Sequence, residues 1–207
     1  MQVIVLTNDV LKEELLNNGV DTETELAFIS APQEFLNYPK AFACIDLLFE
    51  NDEERLHMLK QITTPVIINS VQHTLHETNF SFIRINAWPT FLQSNLIEAS
   101  ASDEKKQKAE IVFAQFNKKI EWLPDEPGFI TPRVISAIIN EAFIALEEGV
   151  STKEEIDKAM KLGTNYPYGP FEWANKIGIK NIASLLTKLS LSQRRYSPSS
   201  LLMRQAQ

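Results

Sequence analysis

The sequence predicts a wound α/β domain followed by an all-helical one, and three observations carry that expectation. Up to about Trp122, short β-rich runs alternate with helical patterns; from Ile130 onward, apolar residues recur at helical spacing in one segment after another. Between the two regimes lies LPDEPGF, whose Pro124, Pro127 and Gly128 suit a connection rather than an element. Strands that alternate with helices favour parallel pairing, since parallel neighbours need a crossover between them. The expected domains are 1–123 and 124–207.

Gln2 to Thr7 is a short apolar run rich in β-branched residues. Val10, Leu11, Leu15 and Leu16 then share helical spacing until Gly19, which makes a β-α opening. Further strands are expected at Leu26–Ile29, Ala41–Phe49, Pro65–Ile68, Phe82–Ile85, Asn95–Ala99 and Lys119–Trp122, with helices at Asp52–Gln61 and Asp103–Phe116. Beyond the connection, Ile130, Val134, Ile138 and Ala142 form one stripe with Ile135, Ile139 and Leu146 beside it, so this helix should bury a broad face before ending near Gly149. Ser151 and Glu154 have the spacing of a capping box. Ile156, Ala159, Met160 and Leu162 should face inward, with Gly163 closing that helix. Pro170 and Gly178 bracket another, Asn181 suits the cap of a third, and Ser197-Pro198 opens a last one.

A formal net charge of −7 argues against nucleic acid or an anionic membrane as partner, since both call for a basic face. The single cysteine, Cys44, excludes an internal disulfide and reads as a small buried hydrophobe within AFACIDLLF. No apolar stretch approaches the roughly 18 residues that a membrane-spanning helix needs. MQVIVLTNDV lacks the basic start and cleavage site of a signal peptide, so a cytoplasmic protein is expected.

The stretch from Asp125 to Ile179 contains PGF at Pro127–Phe129, Asn140-Glu141-Ala142, Glu147-Glu148-Gly149, Asp157-Lys158-Ala159-Met160-Lys161-Leu162-Gly163 and Pro167-Tyr168-Gly169-Pro170-Phe171-Glu172. In that order and spacing it resembles the C-terminal domain of the 3-hydroxyacyl-CoA dehydrogenases. The resemblance implies a helical domain that supplies much of a homodimer interface, joined to a Rossmann-like NAD-binding domain that is shortened in this chain. It also implies acyl-CoA as ligand.

The cofactor side departs from that pattern. A Rossmann turn uses G-x-G-x-x-G so that bare amides reach the pyrophosphate, whereas Thr7, Asn8, Asp9, Val10, Leu11 and Lys12 follow the first strand here. Asn8 or Asp9 suits the N-cap, and either would occupy those amides while the Asp9 carboxylate repels the anion. The second strand ends in Ser30 where the family places an acid; Glu50, after Ala41–Phe49, is a further candidate on the cofactor side.

The family's chemistry relies on a histidine in an H-F-F-N-P segment and a glutamate twelve residues on. Counting back from Pro89 puts Ile85 at the histidine position, and counting back from Glu98 puts Asn86 there; neither titrates usefully. Glu98 stands at the glutamate position, though it could equally be a solvent-facing strand residue. Ser70 is the nearest match to the family's S-N-T-S-S segment, and Pro132 replaces the asparagine after PGF.

His73 and His76 could share a helix face and meet a ligand, or be ordinary polar residues; no cysteine-pair metal motif accompanies them, and no metal is expected. The aromatic loop of Tyr166, Pro167, Tyr168 and Phe171, with Trp173, serves either the acyl end of a cleft or a dimer core. The expected function is therefore a family member degenerate in its NAD and catalytic sites, acting as a dimeric acyl-CoA-binding or scaffold protein. The alternative is an active NAD-dependent dehydrogenase with altered catalytic residues.

Overall fold

The computed structural model describes residues 1–207 and divides into two compact units, Met1–Phe129 and Ile130–Gln207. The packing boundary lies beyond the Pro/Gly segment rather than before it. Asp125 and Glu126 are held by Arg84, and the Gly128 amide donates to the Val71 carbonyl at 2.8 Å, so this segment belongs to the first unit.

The first unit is a seven-stranded sheet in the order β2-β1-β3-β4-β5-β6-β7. Its elements are β1 (Gln2–Leu6), α1 (Asp9–Leu16), β2 (Glu25–Ile29), β3 (Ala43–Asp46), α2 (Glu53–Leu59), β4 (Val66–Asn69), α3 (Leu75–Thr78), β5 (Ile83–Ile85), β6 (Leu96–Ser100), α4 (Asp103–Ala114) and β7 (Lys119–Trp122). β1 is covered on both faces. Val3 and Val5 join one apolar cluster with Leu11, Phe113 and Phe116, while Ile4 and Leu6 join another with Phe35, Met58 and Leu59. That alternation follows from the two-residue period of a strand and explains why the run is apolar throughout. Cys44 lies in the second cluster, fully buried in β3.

The sheet is not uniformly parallel. β1 to β5 pair in parallel, β6 runs antiparallel to β5, and β7 is parallel to β6. The cause is local: the chain between β5 and β6 contains no helix to carry it across the sheet, so the strand returns alongside its predecessor. Strand order reverses at β1, placing a crevice at the carboxyl ends of β1 and β3, where doubly wound folds receive ligands. β3 is also shorter than the run Ala41–Phe49, because Asp46 turns its carboxylate into bonds with Leu48 and Arg55 at the strand's end.

The second unit is helical: α5 (Thr131–Glu147), α6 (Lys153–Thr164), α7 (Pro170–Ile177), α8 (Ile179–Ser190) and α9 (Ser200–Gln205), with a 3₁₀ turn at Arg194–Tyr196. α5 buries Ile135, Ile139, Ala142 and Phe143, but Ile130 and Val134 are 55% and 49% exposed, so half of the expected stripe faces outward. α6 is capped by Thr152 with Glu155, one residue later than the expected pair, and the Ser151 hydroxyl bonds the same Glu155 carboxylate. Gly163 lies within α6, and Asn165 ends it in a left-handed conformation (φ 55°). Ala159 is exposed, as is Leu162 at 77%, which corrects the inward-facing assignment. α8 starts after Gly178 rather than at Asn181, whose amide reaches back to the Ile177 carbonyl; α9 is capped by Ser199 rather than opened by Ser197-Pro198.

Candidate active site

At the β1–α1 turn, Asn8 is extended (φ −100°, ψ 174°) and its Oδ1 accepts from the Leu11 amide at 2.9 Å; Asn8, not Asp9, is the N-cap. Asp9 stands exposed in the first helical turn, where its charge suits the helix dipole. A diphosphate seated in a Rossmann turn needs these amides bare and no anion beside them. The residues present do not fit that role, since the Asn8 side chain already takes the Leu11 amide and the Asp9 carboxylate places an anion beside it.

The end of β2 does carry a carboxylate, supplied from further along the chain. Glu34 Oε1 accepts from the Ser30 amide at 3.1 Å, the Ser30 hydroxyl at 3.2 Å and the Ala31 amide at 2.8 Å. Those backbone bonds hold its pKa below the usual carboxylate value. The sequence signal was obscured because the acid sits in a 3₁₀ turn, Pro32–Asn37, rather than on the strand. The cavity beside it is about 180 Å³ and is lined by Gln33, Asp52, Glu54 and Arg55. That is smaller than the roughly 300 Å³ at which ligand pockets begin. Glu50 is exposed in the loop after β3, where its charge helps burial to raise the neighbouring Asp46 carboxyl to about 6; Arg55, at 3.0 Å, opposes the rise.

Where the carboxyl end of β5 lies beside β6, the structure brings Asn86 and Glu98 together. Asn86 Nδ2 donates to Glu98 Oε2 at 3.1 Å, the Asn86 amide donates to the Glu98 carbonyl at 2.9 Å, and Asn86 Oδ1 accepts from the Trp88 amide. Ile85 points the other way, into the apolar cluster with Val3 and Ile45. Counting from Glu98 therefore selects the residue that faces the glutamate, and counting from Pro89 does not. Both Asn86 and Glu98 are buried, so Glu98 is not a solvent-facing strand residue.

Ser70 does not join this pair by a direct bond; its hydroxyl donates to the His73 carbonyl at 2.9 Å. Asn69, beside it, donates to the Leu47 and Ala87 carbonyls and accepts from the Ala87 amide, tying three strand ends together. Sequence reasoning missed Arg84. It is fully buried, its Nη1 meets Asp125 at 2.8 Å, its Nη2 donates to the Glu126 carbonyl at 2.5 Å, and its guanidinium lies 4.1 Å from the Phe129 ring centroid. Asp125 also accepts from the amides of Leu75 and His76, so His76 is held by its backbone at the start of α3. No group of three or more His, Cys, Asp or Glu residues could hold a metal ion.

In the second unit the aromatic loop is built on Asp157. Its carboxylate accepts from the amides of Phe171 at 2.8 Å and Glu172 at 3.2 Å, capping α7, while Glu172 bonds the Gly169 amide and Lys161. A Cβ at Gly169 would lie 2.3 Å from Asp157 Oδ1, so only glycine allows that approach. Tyr166 and Tyr168 meet Trp173 edge-on at 5.4 and 6.0 Å, and Phe171 packs on Phe143 at 5.0 Å. Pro167 is exposed, and Pro132 is buried in the first turn of α5. Asn140 links α5 to the start of α9, donating to the Ser197 carbonyl and accepting from the Ser199 amide.

The family described as "3-hydroxyacyl-CoA dehydrogenase, C-terminal domain" matches residues 128–207. A probable 3-hydroxybutyryl-CoA dehydrogenase of Bacillus subtilis is 30% identical over 217 aligned positions, covering 93% of this chain and 76% of the relative. The chain belongs to the 3-hydroxyacyl-CoA dehydrogenase family. The 3-hydroxyadipyl-CoA dehydrogenase of Escherichia coli is 41% identical over 106 residues, half of this chain, and the match spans only 22% of that relative's length. Among solved structures, the (S)-3-hydroxybutyryl-CoA dehydrogenase of Ralstonia eutropha superposes with a TM-score of 0.75 over 98% of this chain and 92% of that one. At 19% identity it supports the Rossmann-like fold with its helical C-terminal domain. Within this 3-hydroxyacyl-CoA dehydrogenase relative, Asp157, Lys161, Gly169 and Glu172 form one structural cap.

Proposed function

We propose that this chain is a non-catalytic member of the 3-hydroxyacyl-CoA dehydrogenase family that binds acyl-CoA as a homodimer in the cytoplasm. One observation carries the reading: the group facing Glu98 is the amide of Asn86. Proton transfer to or from a 3-hydroxyl needs a group that titrates near neutrality, and a carboxamide holds its protons throughout. The side chains of Asn8 and Asp9 in the β1–α1 turn support the same reading, because weak dinucleotide binding removes the hydride partner. The exposed apolar residues Ile130, Val134 and Leu162 support a helical dimer surface, with Tyr166, Tyr168 and Phe171 beside it or at the acyl end of the ligand site.

The second reading, an active NAD-dependent dehydrogenase, rests on the near full-length likeness to the B. subtilis relative and on the buried Glu98. Acetoacetyl-CoA and NADH, followed by NADH absorbance beside calorimetric titration of each ligand, separate the two. The proposal expects heat from the acyl-CoA, none from NADH and no turnover. Turnover that disappears in Glu98→Gln would establish the second reading instead.

A further inference from the structure

The amino-terminal edge of the sheet, opposite the crevice described above, carries a groove that this reading does not use. It consists of two adjoining cavities of about 430 and 700 Å³ that share Phe80, Ser81 and Phe82, the residues leading into β5. The first is walled by the loop leading to β4 and by the first turns of α4, and it receives Lys60, Lys105 and Lys108. The second runs on past Leu75, His76 and Ser102. Both lie within the size range of small-molecule sites.

What sets this groove apart in an acidic chain is three lysines, Lys60, Lys105 and Lys108, on one lining. Lys60 stands 4.2 Å from the Phe80 ring centroid, and Lys105 donates to the Ser81 carbonyl. Burial lowers the Lys105 pKa against the pull of Glu104, and the charge of Lys108 adds to the lowering. Three lysines thus line one concavity with a single acid, Glu104, on its wall. One carboxylate, Glu104, faces three cations here, and a bound anion would supply the remaining counter-charge. The floor is apolar: Phe80 and Phe82 lie 5.1 Å apart at 32°, with Ile62 and Pro65 beside them.

We infer that this groove binds a phosphorylated small molecule, with the phosphoryl group among Lys60, Lys105 and Lys108 and an aromatic or apolar body along Phe80 and Leu75. The threonine hydroxyls of Thr63 and Thr64 add donors on the phosphate side.

Calorimetric titration of the whole chain with phenyl phosphate tests this, with inorganic phosphate as the second arm and Lys60→Glu/Lys108→Glu as the variant. Lys105 stays in place because it already bonds Ser81. The expected result is saturable binding of phenyl phosphate about tenfold tighter than inorganic phosphate, weakened about tenfold or more in the variant and falling with salt. Circular dichroism should show the variant folded. No saturable binding at millimolar concentration, equal binding of the two probes, or equal binding in a folded variant would each overturn the inference.

Discussion

Arg84 in β5 and Asn86 just beyond it lie two residues apart, and both project polar groups into buried surroundings. Arg84 has its pKa lowered by burial to about 10, yet it remains charged at neutral pH because Asp125 faces it. It also holds the turn that ends in Phe129, whose backbone is left-handed (φ 46°), a conformation that costs energy in any residue but glycine. Replacing Arg84 by Met leaves Asp125 without its counter-charge. We expect a loss of about 3 kcal/mol or more in urea unfolding; a change below about 1 kcal/mol would show that the pair is dispensable.

Asp46 gives a pH signature. Its carboxyl is raised to about 6 by burial first, against the opposing charge of Arg55, so the folded state holds a proton that the unfolded chain releases near its ordinary value of 3.8. The stabilisation is therefore fully present below about pH 4 and is lost as pH rises through about 6, amounting to roughly 3 kcal/mol. Unfolding of the wild type and Asp46→Asn between those limits, taken as a difference, should show stability falling with pH only when the aspartate is present. Parallel curves would refute it.

At the scale of elements, the turn after β1 and the loop before α7 show the same device: a side chain takes backbone amides that a helix start leaves open. Asn8→Ala removes one such bond and should cost about 1 kcal/mol by thermal unfolding. If stability is unchanged, Asn8 is not the cap that the geometry describes. Gly169→Ala forces a methyl group against Asp157, a clash that a buried, doubly bonded carboxylate cannot avoid by rotating. The helical unit should lose several kcal/mol, in the range reported for overpacked interiors; an undiminished melting temperature would contradict that.

The seven strands were legible in the sequence because each is a short β-prone segment bounded by polar or turn residues, apolar from Val3 to Leu6 in β1 and alternating in the edge strand Lys119–Trp122. The reversal of β6 was not, since it depends on what the connection from Asn86 to Asn95 lacks rather than on any residue in the strand. The capping misassignments at Ser151 and Asn181 arose because neighbouring polar residues offer equivalent spacing, and packing decides among them. Of the site, the Asn86–Glu98 spacing could be counted, but the carboxylate of Glu34 at the end of β2 could not. Its reach depends on how the 3₁₀ turn folds back.

At the scale of the whole molecule, assembly is the open quantity. Val134 on α5 and Ile130 at its N-cap are apolar and exposed, and the proposed dimer would cover them. Sedimentation should give a dimer for the wild type and a monomer for Val134→Glu with unchanged helical content. A monomeric wild type would remove the dimer from the proposal.

The lone thiol of Cys44 lies in β3, between β1 and β4, with its pKa raised by burial. Such a group cannot meet an alkylating reagent until those strands separate. Its labelling rate therefore reports how often the centre of the sheet opens, free from interference by any other sulfhydryl. The molecule carries its own single-site gauge of breathing.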